Sequence, residues 1–240
     1  PDGYTLLTIS NTFARVPVLV PDAGYDPLRD FTAVSLTADV PLVLVVTPTL
    51  PVKTVRDLIA LAKRRPGELT SASSGAGSTG HVAVERFSHQ AGIRMIHVQY
   101  KGAAPAVVDL VGGHVMLRFD QVTTSLPFIT NGKLRALGVS TRTRSAVLPD
   151  VPTIEESGLA GFHDSTFNGI VAPAGTPRPV IDRVREAVVK AVAVTELRNR
   201  FQSQGIDLVA SNSSEEFAAF LRKQVEEFAI LARQTGMAVK

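Results

Sequence analysis

A glycine- and serine-rich segment, residues 71–81 with the sequence SASSGAGSTGH, has the residue types best suited to bind a ligand. It lies between a run that reads as a strand and a run that reads as a helix. Successive backbone N–H groups in such a loop, together with the unpaired N–H groups of the first helical turn, form a binding site for anions. Glycine lets the backbone approach the ligand closely, and the hydroxyls add donors. A carboxylate or a phosphate could therefore be held without a lysine or an arginine in the loop.

The same loop has two other interpretations. Gly75–Gly80 reads GAGSTG and matches the G-x-G-x-x-G pattern of dinucleotide-binding folds, which would make the chain an NADP-dependent oxidoreductase. That fold needs an acidic residue at the end of the next strand, whereas here the strand ends in 99–101, Gln-Tyr-Lys, and only Lys101 could suit a 2′-phosphate. The simplest interpretation is a solvated connection with a capping serine. Of the three, we favour a site for a small anion, most simply a carboxylate.

Hydrolytic and metal chemistry have less support. The nucleophile elbow needs G-x-S-x-G, and around Ser78 the first glycine position is occupied by Ala76. His81 lies on the first turn of the same predicted helix, where it would cap the helix or line a pocket. The five histidines lack the spacing of metal ligands, so we expect neither a metal nor a cofactor.

Asp120 is a second candidate, at the end of a predicted strand. Alternation over 114–120 places it on the polar face of that strand. It could cap the helix expected to begin near Gln121. It could equally accept a hydrogen bond from a ligand's ammonium or hydroxyl group, because strand carboxyl ends face ligand crevices in open α/β sheets. The sequence leaves both roles open.

Composition excludes several classes of protein. The 240 residues are 45% hydrophobic and carry a net charge of only +3, which indicates a globular chain without the charge of a nucleic-acid-binding protein. The absence of cysteine excludes disulfides, thiol catalysis and thiolate metal sites. The longest apolar run, 41–46, is too short to span or insert in a bilayer. The chain opens on a turn and a strand, so we expect neither a signal peptide nor a lipid anchor within it.

Short β-type runs alternate with helical patterns, which predicts an α/β fold with largely parallel strands. Strands are predicted at 4–9, 42–47, 69–73, 93–100, 114–120, 133–140 and 166–172. Helices are predicted from a Thr54 cap to Pro66, at 81–91, at 105–111, from Thr153 to Gly158, after Pro177, and from a Ser213 cap to Gly236. The apolar stripe of the last helix, which contains Phe217 and Phe220, is assigned to the core.

The strands at 42–47 and 166–172 read as crossings between two lobes. Both are extended and bounded by proline, and they flank a self-contained block of strands and helices. We therefore predict a discontinuous outer lobe, 1–47 plus 168–240, and an inner lobe, 48–167. A cleft between two lobes is a favoured place for a small ligand.

The order of several short strings resembles the Bug family, the substrate-binding receptors of tripartite tricarboxylate transporters. The strings are PDGYTLL at 1–7, YDP at 25–27, PVKT at 51–54, SSGAGS at 73–78, VQYKGAAPA at 98–106, GKLRAL at 132–137, LPDVPT at 148–153 and APAGTP at 172–177. The resemblance covers essentially the whole chain. It implies a type II periplasmic-binding-protein-like fold of two interleaved α/β lobes that close on a small carboxylate-bearing solute, and it implies a receptor, not an enzyme.

The resemblance also implies site residues and partners. In the family, two strand–turn–helix loops grip the ligand carboxylate; one corresponds to 73–81 here, and Asp120 and Phe167 fall where the ligand's distal end is lined. The complete set of predicted ligand-binding residues is Ser10, Asn11, Thr12, Ser73, Ser74, Gly75, Gly77, Ser78, Thr79, His81, Tyr100, Asp120 and Phe167. The implied location is periplasmic, and the implied partners are membrane transporter subunits or a sensor protein.

The sequence departs from the family pattern in two respects. Family members carry an upstream βα unit with a Pro/Gly-rich turn, the other clamp loop, and the given sequence begins after it. A chain without that unit would lack half of the carboxylate grip. Phe167 stands where tryptophan is usual, which predicts a smaller aromatic wall without an indole N–H donor.

Overall fold

The computed structural model describes residues 1–20 and 22–237, which form a mixed α/β fold with an open sheet. The strands are β1 (Leu7–Ser10), β2 (Phe31–Val46), β3 (Thr70–Ser73), β4 (Ile96–Gln99), β5 (Leu117–Gln121), β6 (Arg135–Val139), β7 (Ser165–Pro173) and β8 (Asp207–Leu208). The helices are α1 (Asn11–Leu19), α2 (Val55–Arg64), α3 (Thr79–Ala91), α4 (Ala103–Val111), α5 (Val122–Thr130), α6 (Arg178–Val192), α7 (Thr195–Gln202) and α8 (Ser214–Thr235).

The chain divides into two compact units. Unit 1 comprises Pro1–Asp39 and Phe167–Lys240, and unit 2 comprises Val40–Thr166. The divisions fall inside β2 and β7, so the first lies earlier in β2 than the 47/48 boundary expected from the sequence. Residues 238–240 of the predicted outer lobe lie outside the described residues.

Unit 1 is built around β7. β1 pairs antiparallel with β7, from Leu7 opposite Val171 to Ser10 opposite Asn168. Aromatic and aliphatic side chains of β1, β7 and α8 form the core, and the ring of Phe167 lies edge-on to that of Phe220 at 5.0 Å between centroids. The apolar stripe predicted on the last helix is therefore core.

Unit 2 contains parallel and antiparallel pairs. β3 runs parallel to β4 and to β5, but β2 pairs antiparallel with β5 and β6. The prediction of largely parallel strands is wrong for β2, because a strand that enters from the other unit does not come from a βαβ crossover. Successive side chains of β2 enter different apolar clusters: Leu42, Leu44 and Val46 belong to one, and Val43 and Val45 to the other.

The predicted helix boundaries are set by local hydrogen bonds. Thr54 and Asp57 form the reciprocal capping box at the start of α2, and Gly236 ends α8 with φ 73°. Thr153 and Glu156 make the same reciprocal pair of hydrogen bonds, 2.7 and 2.9 Å, but they close a run of turns. The prediction of a short helix there is wrong, because Gly158, with φ 105°, leaves room for little more than one turn.

Some elements escape the sequence analysis. α1 carries Pro17 inside it, which conceals the helical pattern, and its N-terminal residue is Asn11. The first half of β2 lies outside the predicted strands, and α7 has no buried residue to mark a helical face. No helix within residues 1–20 and 22–237 combines the length and apolar character needed to cross a lipid bilayer.

A substitution at Gly169 tests the packing of unit 1. A Cβ at this position would overlap Cζ of Phe217 and lie 2.9 Å from its Cε1 and 3.1 Å from the carbonyl oxygen of Ser35. We expect Gly169→Ala to lower the free energy of unfolding by about 1–3 kcal/mol, through overpacking. Urea denaturation of Gly169→Ala, Phe217→Leu and the double variant measures this.

The shorter leucine side chain removes the ring tip that the new methyl group would strike. The double variant should therefore lose less stability than the sum of the two single variants. Strictly additive losses would contradict the proposed overlap.

Candidate functional site

The site begins where three parallel strands end. β3, β4 and β5 lie side by side and run in the same direction, so their carboxyl ends meet at one edge of the sheet. α3, α4 and α5 begin within a few residues of those ends. The positive ends of three helix dipoles are thus brought to one edge, an arrangement that favours anions.

A cavity of about 260 Å³ opens at this edge of unit 2. Its lining is Leu42, Ser74, Thr79, Gly80, Ala103, Arg118, Phe119, Asp120, Gln121, Thr124 and Thr166. The structure therefore brings three of the predicted site residues together, namely Ser74, Thr79 and Asp120. The predicted set lacks four polar lining residues, Arg118, Gln121, Thr124 and Thr166. The helix start expected near Gln121 is the one local pattern that points to two of them, Gln121 and Thr124.

The loop between β3 and α3 is held in shape by its own groups. The hydroxyl of Ser73 is buried, lies 2.6 Å from His97 Nε2, and accepts from the Gly75 N–H at 3.3 Å. The Ser78 N–H donates to the Gly75 carbonyl, and the Ser78 hydroxyl accepts from the His81 N–H at 3.4 Å as the N-cap of α3. Much of the predicted anion site is thus used internally. Ser73, Gly75 and Ser78 position the loop, and their predicted ligand contacts stay predictions.

His81 closes the loop from the helix side. Its Nδ1 accepts from the Gly77 N–H at 3.1 Å, and its ring stacks on that of His97 with 3.8 Å between centroids. Burial, and secondarily the neighbouring His97, lower the pKa of His81 to about 4. Glu85 Oε1 lies 3.8 Å from His81 Nε2, and burial raises the pKa of that carboxyl. The imidazole is therefore neutral at pH 7 and acts as an acceptor for the loop.

The start of α3 keeps free donors at the cavity. Thr79 and Gly80 are the first two residues of the helix, and within the described part of the chain their N–H groups have no hydrogen-bond partner. Gly80 is packed so closely on β5 that a Cβ would lie 2.5 Å from the Phe119 carbonyl oxygen. The helix end can approach the strand only because residue 80 is glycine.

Asp120 is held in a buried ion pair and does not cap α5. It is 3% exposed, one carboxylate oxygen accepts from Arg118 Nη2 at 2.8 Å, and the other accepts from the Ser125 hydroxyl at 2.8 Å. The N-cap of α5 is Gln121, without a side-chain cap. The capping role is thus wrong by one residue. The polar face that Asp120 shares with Arg118 is buried, because β5 is buried on both sides. The acceptor role toward a ligand stays a prediction.

Tyr100 lies outside the cavity lining. Its hydroxyl donates to Asp109 Oδ2 at 2.6 Å, and burial together with that carboxylate raises its pKa to about 12. The tyrosine is therefore uncharged, and its hydroxyl links the residues just before α4 to Asp109 within that helix. Its predicted contact with a ligand stays a prediction.

The remaining predicted residues lie in unit 1. Asn11 Oδ1 accepts from the Phe167 N–H at 2.9 Å, which joins the start of α1 to β7. The hydroxyls of Ser10 and Thr12 are 3.0 Å apart and hydrogen-bonded. Phe167 is 3% exposed in the core of unit 1, so packing accounts for its ring. The ligand contacts predicted for these four residues stay predictions.

The spacing of His, Asp and Glu side chains in the structure bears on metal binding. Among residues 1–20 and 22–237, no group of three or more His, Cys, Asp or Glu side chains is placed to hold an ion. The cavity offers hydrogen-bond donors and helix dipoles, which suit the binding of an anion.

The low pKa of His81 gives a pH dependence of stability. The folded-state pKa, about 4, lies below the ordinary value of 6.5, so the unfolded chain binds more protons between these values. The stabilisation is complete above about pH 6.5 and is lost as the pH falls toward 4. Between pH 7 and pH 4.5 we expect wild type to lose about 2 kcal/mol more than His81→Asn, measured by urea denaturation.

Asparagine suits this test because its Oδ1 can still accept from Gly77 but does not titrate. His89→Asn, an exposed change on the same helix, is the control and should keep the wild-type slope. Equal pH slopes in wild type and His81→Asn would contradict the buried neutral imidazole.

Comparisons with known proteins bear on what this site is for. A family model described as a tripartite tricarboxylate transporter family receptor matches residues 1–237. Protein BugT of Bordetella pertussis strain Tohama I is 35% identical over 242 residues, which cover 100% of this chain and 74% of BugT.

Solved structures of similar proteins agree with these sequence matches. R. palustris Rpa4515 with adipate superposes with a TM-score of 0.90 at 32% identity, over 99% of this chain and 79% of that one. The periplasmic binding protein BugD superposes with a TM-score of 0.87 at 31% identity, over 100% of this chain and 81% of that one. These matches confirm the predicted fold class and the resemblance to the Bug receptors, and they leave the dinucleotide-dependent oxidoreductase without support. The chain belongs to the tripartite tricarboxylate transporter receptor family, whose members are substrate-binding receptors and not enzymes.

Proposed function

We propose that the protein is a periplasmic receptor that captures a small organic acid in the cavity of unit 2 and presents it to the membrane subunits of a tripartite transporter. The observation that carries this proposal is the convergence of α3, α4 and α5 N-termini on one polar cavity. The family membership and the adipate bound to Rpa4515 support a carboxylate as the ligand. The description of BugD as a periplasmic binding protein supports the location.

The ligand carboxylate is assigned to the start of α3. The N–H groups of Thr79 and Gly80 supply two backbone donors, and the hydroxyls of Ser74, Thr79 and Thr124 lie in the same lining. Hydrogen bonds to a charged group are typically worth about 1.5–3 kcal/mol each, more than bonds between neutral groups. A few such donors at a helix terminus are enough to orient one carboxylate.

Neutral donors also suit a receptor that must release its ligand. Arg118 and Asp120, which form an ion pair, are the charged side chains in the lining, so the cavity carries no net charge. Attraction for an anion therefore comes from helix dipoles and N–H groups. The cavity volume of about 260 Å³ suits a small metabolite.

Binding can be tested directly. Thermal shifts with mono-, di- and tricarboxylates, including adipate, should reveal acids that raise the Tm, because a ligand that binds only the folded state stabilises it. Isothermal titration then gives the Kd. A protein that no carboxylate stabilises would contradict the proposed function.

Two hydroxyl deletions test the assigned anchor. We expect Ser74→Ala and Thr124→Ala each to weaken binding of the best acid by about ten-fold, the loss of one hydrogen bond to a charged group. Stability should change little, because neither hydroxyl is buried in the core. Thr143→Ala, the same change at an exposed position away from the cavity, is the matched control.

Isothermal titration and urea denaturation of each variant separate binding from folding. Affinity within two-fold of wild type in both cavity variants would place the carboxylate elsewhere. An equal loss in Thr143→Ala would show that the effect is not local.

A further inference from the structure

The wall of the cavity contains a buried ion pair that the carboxylate anchor does not use. Arg118 and Asp120 stand two residues apart on β5, so both side chains point to the same face of the sheet. Arg118 Nη2 lies 2.8 Å from Asp120 Oδ1, and the two side chains are 4% and 3% exposed. Both residues line the cavity.

The carboxylate of Asp120 is already satisfied. Each of its oxygens accepts one hydrogen bond, from Arg118 and from the Ser125 hydroxyl. A lone buried carboxylate facing a cavity would attract an ammonium group, but here the guanidinium supplies the opposite charge. A ligand ammonium placed beside Asp120 would also be close to the like charge of Arg118.

The guanidinium, in contrast, has donors to spare. Arg118 Nη1 makes a long hydrogen bond, 3.4 Å, to the Ala103 carbonyl. Its Nε is buried and has no hydrogen-bond partner among the described residues, and neither has the hydroxyl of Thr166 in the same lining. A buried donor without a partner is unfavourable, so a ligand atom that accepts from it is favoured.

We propose that Arg118 determines which organic acids the receptor accepts. It neutralises Asp120 and offers donors, so the cavity selects ligands whose distal group is a hydrogen-bond acceptor, above all a second carboxylate. It disfavours ligands whose distal group is an ammonium. This inference rests on the proposed function, since it concerns the far end of a ligand whose first carboxylate is held at α3.

The alternative is a purely structural role, in which the pair only holds β5 against α4 and α5. In that case its loss would weaken every ligand to the same extent. The specificity role predicts something different, namely that removing either charge changes the ratio between ligands, and that the two removals change it in opposite directions.

The probes are three acids that differ only in the distal group: adipate, hexanoate and 6-aminohexanoate. A shorter series, glutarate, pentanoate and 5-aminopentanoate, allows for the length of the cavity. In wild type, the affinities measured by isothermal titration should decrease from the dicarboxylate to the monocarboxylate to the amino acid. The Kd values of the first and the last should differ by about ten-fold or more.

Two variants shift the charge in opposite directions. Asp120→Asn keeps the Ser125 contact and leaves Arg118 uncompensated, so the preference for the dicarboxylate over the amino acid should rise by about ten-fold. Arg118→Met leaves the carboxylate uncompensated, so the preference should fall by at least that factor and can invert.

Arg118→Met places an unpaired charge in a buried position and can fail to fold. The double variant Arg118→Met with Asp120→Asn is neutral and avoids that cost; it should bind the monocarboxylate best of the three. Arg86→Met removes a partly buried arginine of α3 outside the lining, whose Nε lies 3.6 Å from Asp164 Oδ2. This control should keep the wild-type ligand order whatever its stability.

The outcomes separate this inference from the proposed function. A wild-type protein that binds none of these acids, nor others in the thermal-shift panel, counts against the function itself. Binding with the amino acid preferred, or ligand ratios that stay within two-fold of wild type in Asp120→Asn and in the double variant, overturns the role of Arg118 and leaves the receptor function intact.

Discussion

Parallel pairing of β3 with both of its neighbours is the constraint on which the site depends. Parallel strands need crossover connections, and here each crossover is a helix, so β3, β4 and β5 end at one edge while α3, α4 and α5 begin there. The orphan N–H groups of several helix starts then face the same space. No single residue creates this potential for anion binding; it follows from the direction in which three strands run.

Close packing of α3 on β5 fixes the position of the N–H groups that can bind an anion. α3 begins directly against β5 because Gly80 has no side chain to strike the Phe119 carbonyl. The loop before it satisfies several of its own donors, with His81 accepting from Gly77 and Ser73 from Gly75. The N–H groups of Thr79 and Gly80 have no internal partner among the described residues and are available to a ligand. A loop with more unbonded N–H groups would have fewer internal hydrogen bonds to offset the conformational entropy that is lost when its backbone is ordered. Such a loop would be less well ordered.

The sequence predicts the elements better than it predicts the chemistry of their side chains. Capping pairs such as Thr54 with Asp57, and the glycine-rich turn at 73–81, depend on neighbours in the chain and can be read from spacing. The partner of Asp120 is only two residues away on the same polar face. The alternation of β5 does not show that this face is buried, because burial depends on elements that pack from elsewhere in the chain. The lining contribution of Thr166 comes from a distant strand and leaves no local pattern.

The Arg118–Asp120 pair is hard to explain by stability alone. Desolvation of two buried charges commonly cancels their attraction, and a well-packed apolar pair of similar volume is often as stable or more so. The pair nevertheless lines a cavity, and Nε of Arg118 has no hydrogen-bond partner among the described residues. A well-packed apolar pair at these two positions would serve at least as well in a fold that needed only packing at this point. A buried charged pair that borders a ligand space is best understood through the ligands that it admits.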